Sequence, residues 1–200
     1  MAKIKHTKNE LKAQKEALRR FERFLPMLQL KKQQLQVEIH SITVAIEEKE
    51  QEAEAVHAGL DVWVQLLSEP VDLKEFISLQ DVQTRQGNIA GVAIPILEEV
   101  VLDRSQPDLF STPSWLDDAT DVLAHLIQLR VEVDILAEQR VRIEEELRIT
   151  SQRVNLFEKV KIPECKENIR MIKIFLGDEQ TAAVARGKIA KKRAPQEEAA

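Results

Sequence analysis

Four histidines, His6, His40, His57 and His125, and one cysteine, Cys165, are the side chains of this 200-residue sequence best suited to ligate a metal or attack a substrate. A zinc site needs three or four convergent ligands. These histidines are scattered, without HExxH spacing and without a cysteine partner, so solvent-facing or helix-flank positions are expected for them. Cys165 falls on the apolar phase of a helical stretch and reads as a packed small hydrophobe, not a nucleophile. Gly87 and Gly91 make neither a dinucleotide-binding nor a phosphate-loop pattern. The acid runs Glu47-Glu48, Glu98-Glu99, Asp117-Asp118 and Glu144-Glu145-Glu146 lack the buried, opposed surroundings that tune a general acid against a base, and read as solvated faces. The basic run Arg186 to Arg193 lacks interleaved aromatics in a chain of net charge −5, so no nucleic-acid partner is expected. No catalytic, metal or cofactor-binding constellation emerges.

The composition agrees. The chain is 44% apolar and 32% charged, with 4% aromatic residues, five glycines and no tyrosine. Compact enzymes need glycine for tight turns and aromatics for their centres, whereas this balance suits long helices. The single cysteine excludes an intramolecular disulfide, and no charged-then-apolar leader opens the chain, so a reducing, cytosolic setting is expected. The longest uncharged, mostly apolar stretch, Asn88 to Leu97, is far short of the roughly 20 residues that span a bilayer, so no direct membrane insertion is expected.

Thr7 with Glu10 fits a capping box, and a heptad pattern follows it. One seam reads Leu11, Leu18, Leu25, Lys32, Ile39, Ile46, Ala53 and Leu60, the other Gln14, Phe21, Leu28, Leu35, Ile42, Lys49, Val56 and Trp63. This spacing predicts a coiled-coil helix of about 60 residues, about 90 Å long. A second seam reads Val122, Leu126, Leu129, Val133, Leu136, Arg140, Ile143, Leu147, Thr150, Val154 and Phe157. Beyond Phe157 the phase slips and resumes as Ile162, Cys165, Ile169, Ile172 and Leu176, with Gly177 as the expected stop. Two such helices can bury their seams against each other if they fold back antiparallel. Position n of the first then lies near 184 minus n of the second. Pro26 and Pro163 come to nearly the same height there, as does the phase slip, which predicts a bend or offset.

Between the helices the period fades, and β-branched residues cluster in Phe76 to Thr84 and Ile89 to Leu102 around Gln86-Gly87-Asn88, a turn signal. The expected fold is mainly α: a long antiparallel two-helix coiled coil with a small β-hairpin-like head inserted between the helices. Its divisions are a basic N-terminal segment 1–6, a first long helix 7–68, a middle head 69–115 with a broken or edge strand at Pro95, a second long helix 116–176, and a flexible or partly helical basic tail 177–200. Trp63 and Trp115 sit at the head ends of the helices, where packing is expected. Residues 1–32 hold ten Lys/Arg against three acids and residues 177–200 five against four, leaving 33–176 at −13. Folding back joins the two basic ends in one tip.

Specific motifs then appear. The stretch from Thr150 to Pro163 contains RVNxxExVxIP, carried by Arg153, Val154, Asn155, Glu158, Val160, Ile162 and Pro163, and continues to Ile169-Arg170-Met171-Ile172. Asn88 to Pro95 contains NxxGVxxP, carried by Asn88, Gly91, Val92 and Pro95. With His6 to Leu11 and Leu28 to Leu35, these segments strongly resemble the D subunit of V-type and A-type ATPases over about residues 5–176, in the same order. Pro26 replaces the Gly-His common in the family, and the sequence after Leu176 departs from many members, which suggests a bacterial branch.

The resemblance implies a non-catalytic central rotor shaft that holds no cofactor. In that family the helix termini enter the cavity of the hexamer of catalytic A and B subunits (A3B3), while the small F subunit and the C/d subunit of the membrane-proximal stalk bind lower down. The shaft links ATP hydrolysis or synthesis to proton or sodium transport, on the cytoplasmic side of the plasma membrane within a peripheral membrane complex. Carried onto this chain, Lys3, Lys5, Lys8, Lys12, Arg153, Lys159, Lys161 and Arg170 are expected to offer positive charge to the hexamer. Thr150, Val154, Asn155, Glu158 and Pro163 complete the motif there, and Asn88, Gly91, Val92 and Pro95 are expected at the head and stalk interface. The alternative is a non-rotary coiled-coil scaffold or tethering protein.

Overall fold

A computed structural model describes residues 5–60, 73–105, 112–113 and 115–197. In order it contains helix α1 (Lys8–Leu60), a 3-10 turn (Leu73–Glu75), strands β1 (Ile77–Ile89) and β2 (Val92–Arg104), helix α2 (Leu116–Leu156), a π-helical turn (Phe157–Lys161) and helix α3 (Ile162–Glu197). Lys3, Trp63 and positions 61–68 of the expected first helix lie outside the described residues. The chain forms two compact units, one of residues 1–30 with 150–200 and one of residues 31–149.

Helix α1 starts where its cap requires. The Glu10 backbone N–H donates to Thr7 Oγ1 at 3.2 Å, and Gln14 Nε2 donates to Glu10 Oε1 one turn later at 2.9 Å. Each satisfies or supports the first turn, whose N–H groups have no intrahelical partner. Pro26 lies inside α1, exposed, and the helix runs through it. Every described seam position of α1 and of the second pattern is buried or half-buried.

In the unit of residues 31–149 the helices pair antiparallel, with Lys31 against Glu146, Lys49 against Glu132 and Glu52 against His125. Its core joins three elements: Leu35, Ile42 and Ile46 of α1, Ile143 of α2 and Ile94 of β2. Ile89, Val92 and Ile96 of the hairpin pack against that cluster, as do Val133, Leu136 and Leu147 of α2. The hairpin therefore lies along the helix pair, and α2 carries a second buried face that the heptad seam omits, with Ala124, Val131, Ile135 and Gln139.

The hairpin is antiparallel from Ile77 opposite Arg104 to Ile89 opposite Val92, with register shifts between Leu79 and Asp81 and between Gln83 and Thr84. Its turn lies three residues later than the sequence suggested. Gly87 is strand, and the chain reverses at Ala90 (φ 50°) and Gly91 (φ 82°), the two positive values that a type I′ turn needs. Asn88 Oδ1 accepts from the Gly91 N–H at 3.0 Å and holds the reversal. Gly87 serves a different need: a Cβ there would collide with the Ile96 side chain. Pro95 is paired within β2 and does not break it. A strand with neighbours on one side tolerates a missing N–H facing outward.

In the other unit, His6 meets Phe175, Gln14 meets Asn168 and Phe21 meets Phe157, again antiparallel. Val154, Cys165, Ile169 and Ile172 are the buried apolar residues that the second helical stretch contributes to this unit. Gly177 does not end that helix: α3 continues to Glu197. One exposed glycine in a helix costs only about 1 kcal/mol relative to alanine, and the residues that follow are good helix formers.

Candidate functional site

The RVNxxExVxIP segment covers the end of α2, the π-turn and the start of α3. Thr150 and Val154, 1% and 5% exposed, face the seam and pack. Arg153, Asn155, Glu158, Lys159 and Pro163 point outward, and Lys161 is half-buried. The Phe157 ring lies against Phe21 with centroids 5.0 Å apart at 53°, fixing the inner side of the turn. Here the phase slip acquires a geometry. The Ile162 N–H donates to Phe157 O, five residues back instead of four, so one extra residue is taken up and the seam resumes one position late.

The expected basic group is divided by its partners. Lys12 pairs with Glu16 at 4.0 Å, Lys161 with Glu164 at 3.2 Å and Arg170 with Glu167 at 2.7 Å. The two hydrogen bonds from Arg170 hold the Glu167 carboxyl below its ordinary range, and the same bonds raise the guanidinium. Among the described residues Lys5, Lys8, Arg153 and Lys159 form no ion pair, so their charge is the portion free to act on a neighbour. Across the helices, Lys166 meets Glu22 at 3.6 Å. Cys165 is 5% exposed, and burial pushes its thiol up, with Glu164 adding to the effect.

The hairpin motif is placed by its own folding. Asn88 and Gly91 build the turn, Val92 packs on the core, and Pro95 is half-buried with its carbonyl accepting from Gln139 Nε2 at 2.5 Å. Arg142 Nη1 donates to the Ala93 carbonyl at 3.3 Å and the same guanidinium also binds Glu138. At the other end of the hairpin Arg104 pairs with Asp121 at 3.0 Å. Gln139 and Arg142 were not among the residues singled out from sequence. Their only signal was the off-seam apolar pair Val131 and Ile135, which marks a second covered face on α2.

Lys49, a charged residue at a seam position, reaches both Glu132 (3.0 Å) and Glu52 (3.3 Å), while His125 Nε2 stands 3.4 Å from Glu52. The hydrogen bond to Glu132, then that to Glu52, raises its ammonium above its ordinary value. Among the described residues no group of three His, Cys, Asp or Glu side chains could hold a metal ion, and no helix is long and apolar enough to cross a membrane. What the arrangement offers is a helix pair with an outward charged surface and a hairpin bound along it.

Comparison with known proteins agrees with that geometry. The profile of the family described as the D subunit of ATP synthase matches residues 10–192. The V-type ATP synthase D subunit of Borreliella burgdorferi is 49% identical over 96% of this chain and 95% of its own length. Those of Chlamydia caviae and Chlamydia pneumoniae are 35% and 34% identical, covering 98% and 95% of this chain and 95% and 92% of their own. With the signature segment, the hairpin between long helices and these matches in hand, the chain belongs to the D-subunit family of the V-type ATP synthase.

Proposed function

We propose that this chain is the central rotor shaft of a V/A-type rotary ATPase and hydrolyses nothing itself. One observation carries the reading beyond family membership: His6 lies against Phe175, ring centroids 4.9 Å apart, so the basic start of α1 runs beside the motif-bearing helix. Lys5, Lys8 and Lys12 then share a unit with Arg153, Lys159, Lys161 and Arg170, and that unit enters the cavity of the catalytic A and B subunits, with Lys3 contributing further charge. An asymmetric shaft presents a different face to each of three equivalent catalytic interfaces, and its turning couples ATP hydrolysis or synthesis to proton or sodium movement. The unit containing the hairpin receives the F subunit and the C/d subunit of the membrane-proximal stalk, on the cytoplasmic side of the plasma membrane. Charge of this kind orients an encounter more than it binds.

The test is co-purification of the tagged chain followed by mass spectrometry. Catalytic A and B subunits in equal amounts, each in excess over this chain, are the expected result. Recovery of a stable homodimer without them rejects the shaft in favour of a scaffold. Neutralising Lys5, Lys8, Arg153 and Lys159 together should weaken assembly or coupling more at low salt, where their field is least screened, than at high salt. Unchanged assembly and turnover at low salt would reject the role of the basic group.

A further inference from the structure

The π-turn Phe157–Lys161 contains one residue more than the packing of the helix pair uses. Before the turn the buried or half-buried positions are Thr150, Val154 and Phe157; an unbroken heptad would continue at 161, 164, 168 and 171. The apolar positions found buried or half-buried are Ile162, Cys165, Ile169 and Ile172, each one later, while the polar Lys161 and Asn168 stay half-buried at the edge of the seam. Removing a single residue from the turn would therefore restore a straight α-helix with the same apolar residues facing α1. Val160, an apolar residue of the turn, is 48% exposed and fills no part of the core.

Pro163 follows immediately and has no N–H to give. The Ile162 N–H is committed to Phe157 O, so the Glu158 carbonyl lacks the donor it would have in either geometry, Ile162 in an α-helix or Pro163 in a continued π-turn. The turn also makes room for the proline ring, which in a regular helix strikes the carbonyl four residues back. Insertion and proline are thus coupled, yet together they are dispensable for packing. A helix segment short of hydrogen bonds, held on its inner side by the Phe157–Phe21 contact and the half-buried Lys161 and Ile162, bends more readily than the bonded turns on either side.

We propose that Phe157–Pro163 is a flexural joint, a positioning element that lets the segment beyond it tilt while the seam stays closed. Resting on the rotor-shaft reading, the joint accommodates the unequal faces of the surrounding subunits as the shaft turns.

Three variants of the full chain test it: deletion of Val160, Pro163→Ala, and the two combined. The combined variant restores a regular helix and should melt at the parent temperature or above, whereas deletion of Val160 alone leaves the proline in a regular turn and should melt lower. Amide exchange across residues 158–166 should slow at least tenfold in the combined variant relative to the parent. A lower melting temperature for the combined variant, or unchanged exchange, overturns the joint. In the reconstituted complex, compared per assembled complex, the combined variant should move several-fold fewer ions per ATP than the parent. An unchanged ratio also overturns it. Failure of the parent chain to associate with catalytic subunits would instead reject the shaft reading, leaving the exchange result to stand by itself.

Discussion

Lys31 and Glu146 meet across the helix pair at 2.7 Å, and the same Lys31 ammonium is the atom nearest to where a side chain on Gly91 would begin, at 3.9 Å. One ion pair, half-buried on both sides, thus joins α1 to α2 beside the tip of the hairpin. Its removal should be felt in both helices.

Lys31→Ala or Glu146→Ala should each cost about 1 kcal/mol, near the upper end for a partly exposed pair. The exchanged pair, Lys31→Glu with Glu146→Lys, should recover part of the loss. Urea denaturation of the parent, the two alanine variants and their combination gives the coupling as a double-mutant cycle, and additive losses would show that the pair contributes nothing of its own.

Leu35 is fully buried in the three-element core, whereas Val37, two residues on, is 67% exposed. Leu35→Ala should destabilise by about 2–5 kcal/mol, transfer and cavity terms together. Val37→Ala should stay within about 0.5 kcal/mol. Equal midpoints for the two variants in chemical denaturation would contradict this assignment of the inner and outer faces of α1.

The hairpin turn makes opposite demands at adjacent residues. Gly91→Val forces a β-branched residue to φ 82° and should cost about 1–3 kcal/mol. Ala90 already bears a left-handed backbone at φ 50°, where Asn is better tolerated, so Ala90→Asn should raise stability by up to about 1 kcal/mol. Thermal unfolding of both variants checks the pair of signs.

Lys49 gives a pH signature. Its folded-state pKa is raised above the ordinary 10.5, chiefly by the hydrogen bond to Glu132, so its contribution is fully present below 10.5 and is lost as pH rises through the raised value. The parent should therefore lose more stability than Lys49→Met above about pH 10.5. Parallel losses in alkaline denaturation would contradict the bond.

Cys165 should be slow to react. Buried and with its thiol pushed up by desolvation, it should be alkylated by iodoacetamide at least about tenfold more slowly in the folded chain than in denaturant. Equal rates would place it at the surface.

Much of this architecture could be read directly because heptad spacing is a property of neighbouring residues. Leu35, Ile42, Ile143 and Ile172 declare themselves at fixed intervals, and all four are buried. The hairpin was legible as β-branched clusters, but its turn was not. Gln86-Gly87-Asn88 has the right residue types, but the reversal is taken by Ala90 and Gly91 at positive φ, with Asn88 bonded across it, and Gly87 lies in the strand beside Ile96. The slip after Phe157 was visible as a phase error, while its cause, a five-residue hydrogen bond at Ile162, is a backbone choice that no side-chain pattern spells out. Gly177 misleads because a residue that commonly ends helices is outweighed here by the helix formers on both sides of it. Of the residues proposed for the interface, Thr150 and Val154 turn inward and Arg153 and Lys159 turn outward, a division that follows from the same seam.

Gln139 and Arg142 hold the hairpin by the carbonyl oxygens of Pro95 and Ala93, not by their side chains. Grip on the main chain is indifferent to what the gripped residue carries. Ala93, exposed in β2, can therefore be exchanged for many other residues while the Arg142 contact persists. Drift at the outward positions of β2 and drift in the helix are consequently uncoupled: the exposed face of β2 is free to acquire new surface chemistry while Ile94 in the core and the two main-chain contacts from α2 keep the strand in place.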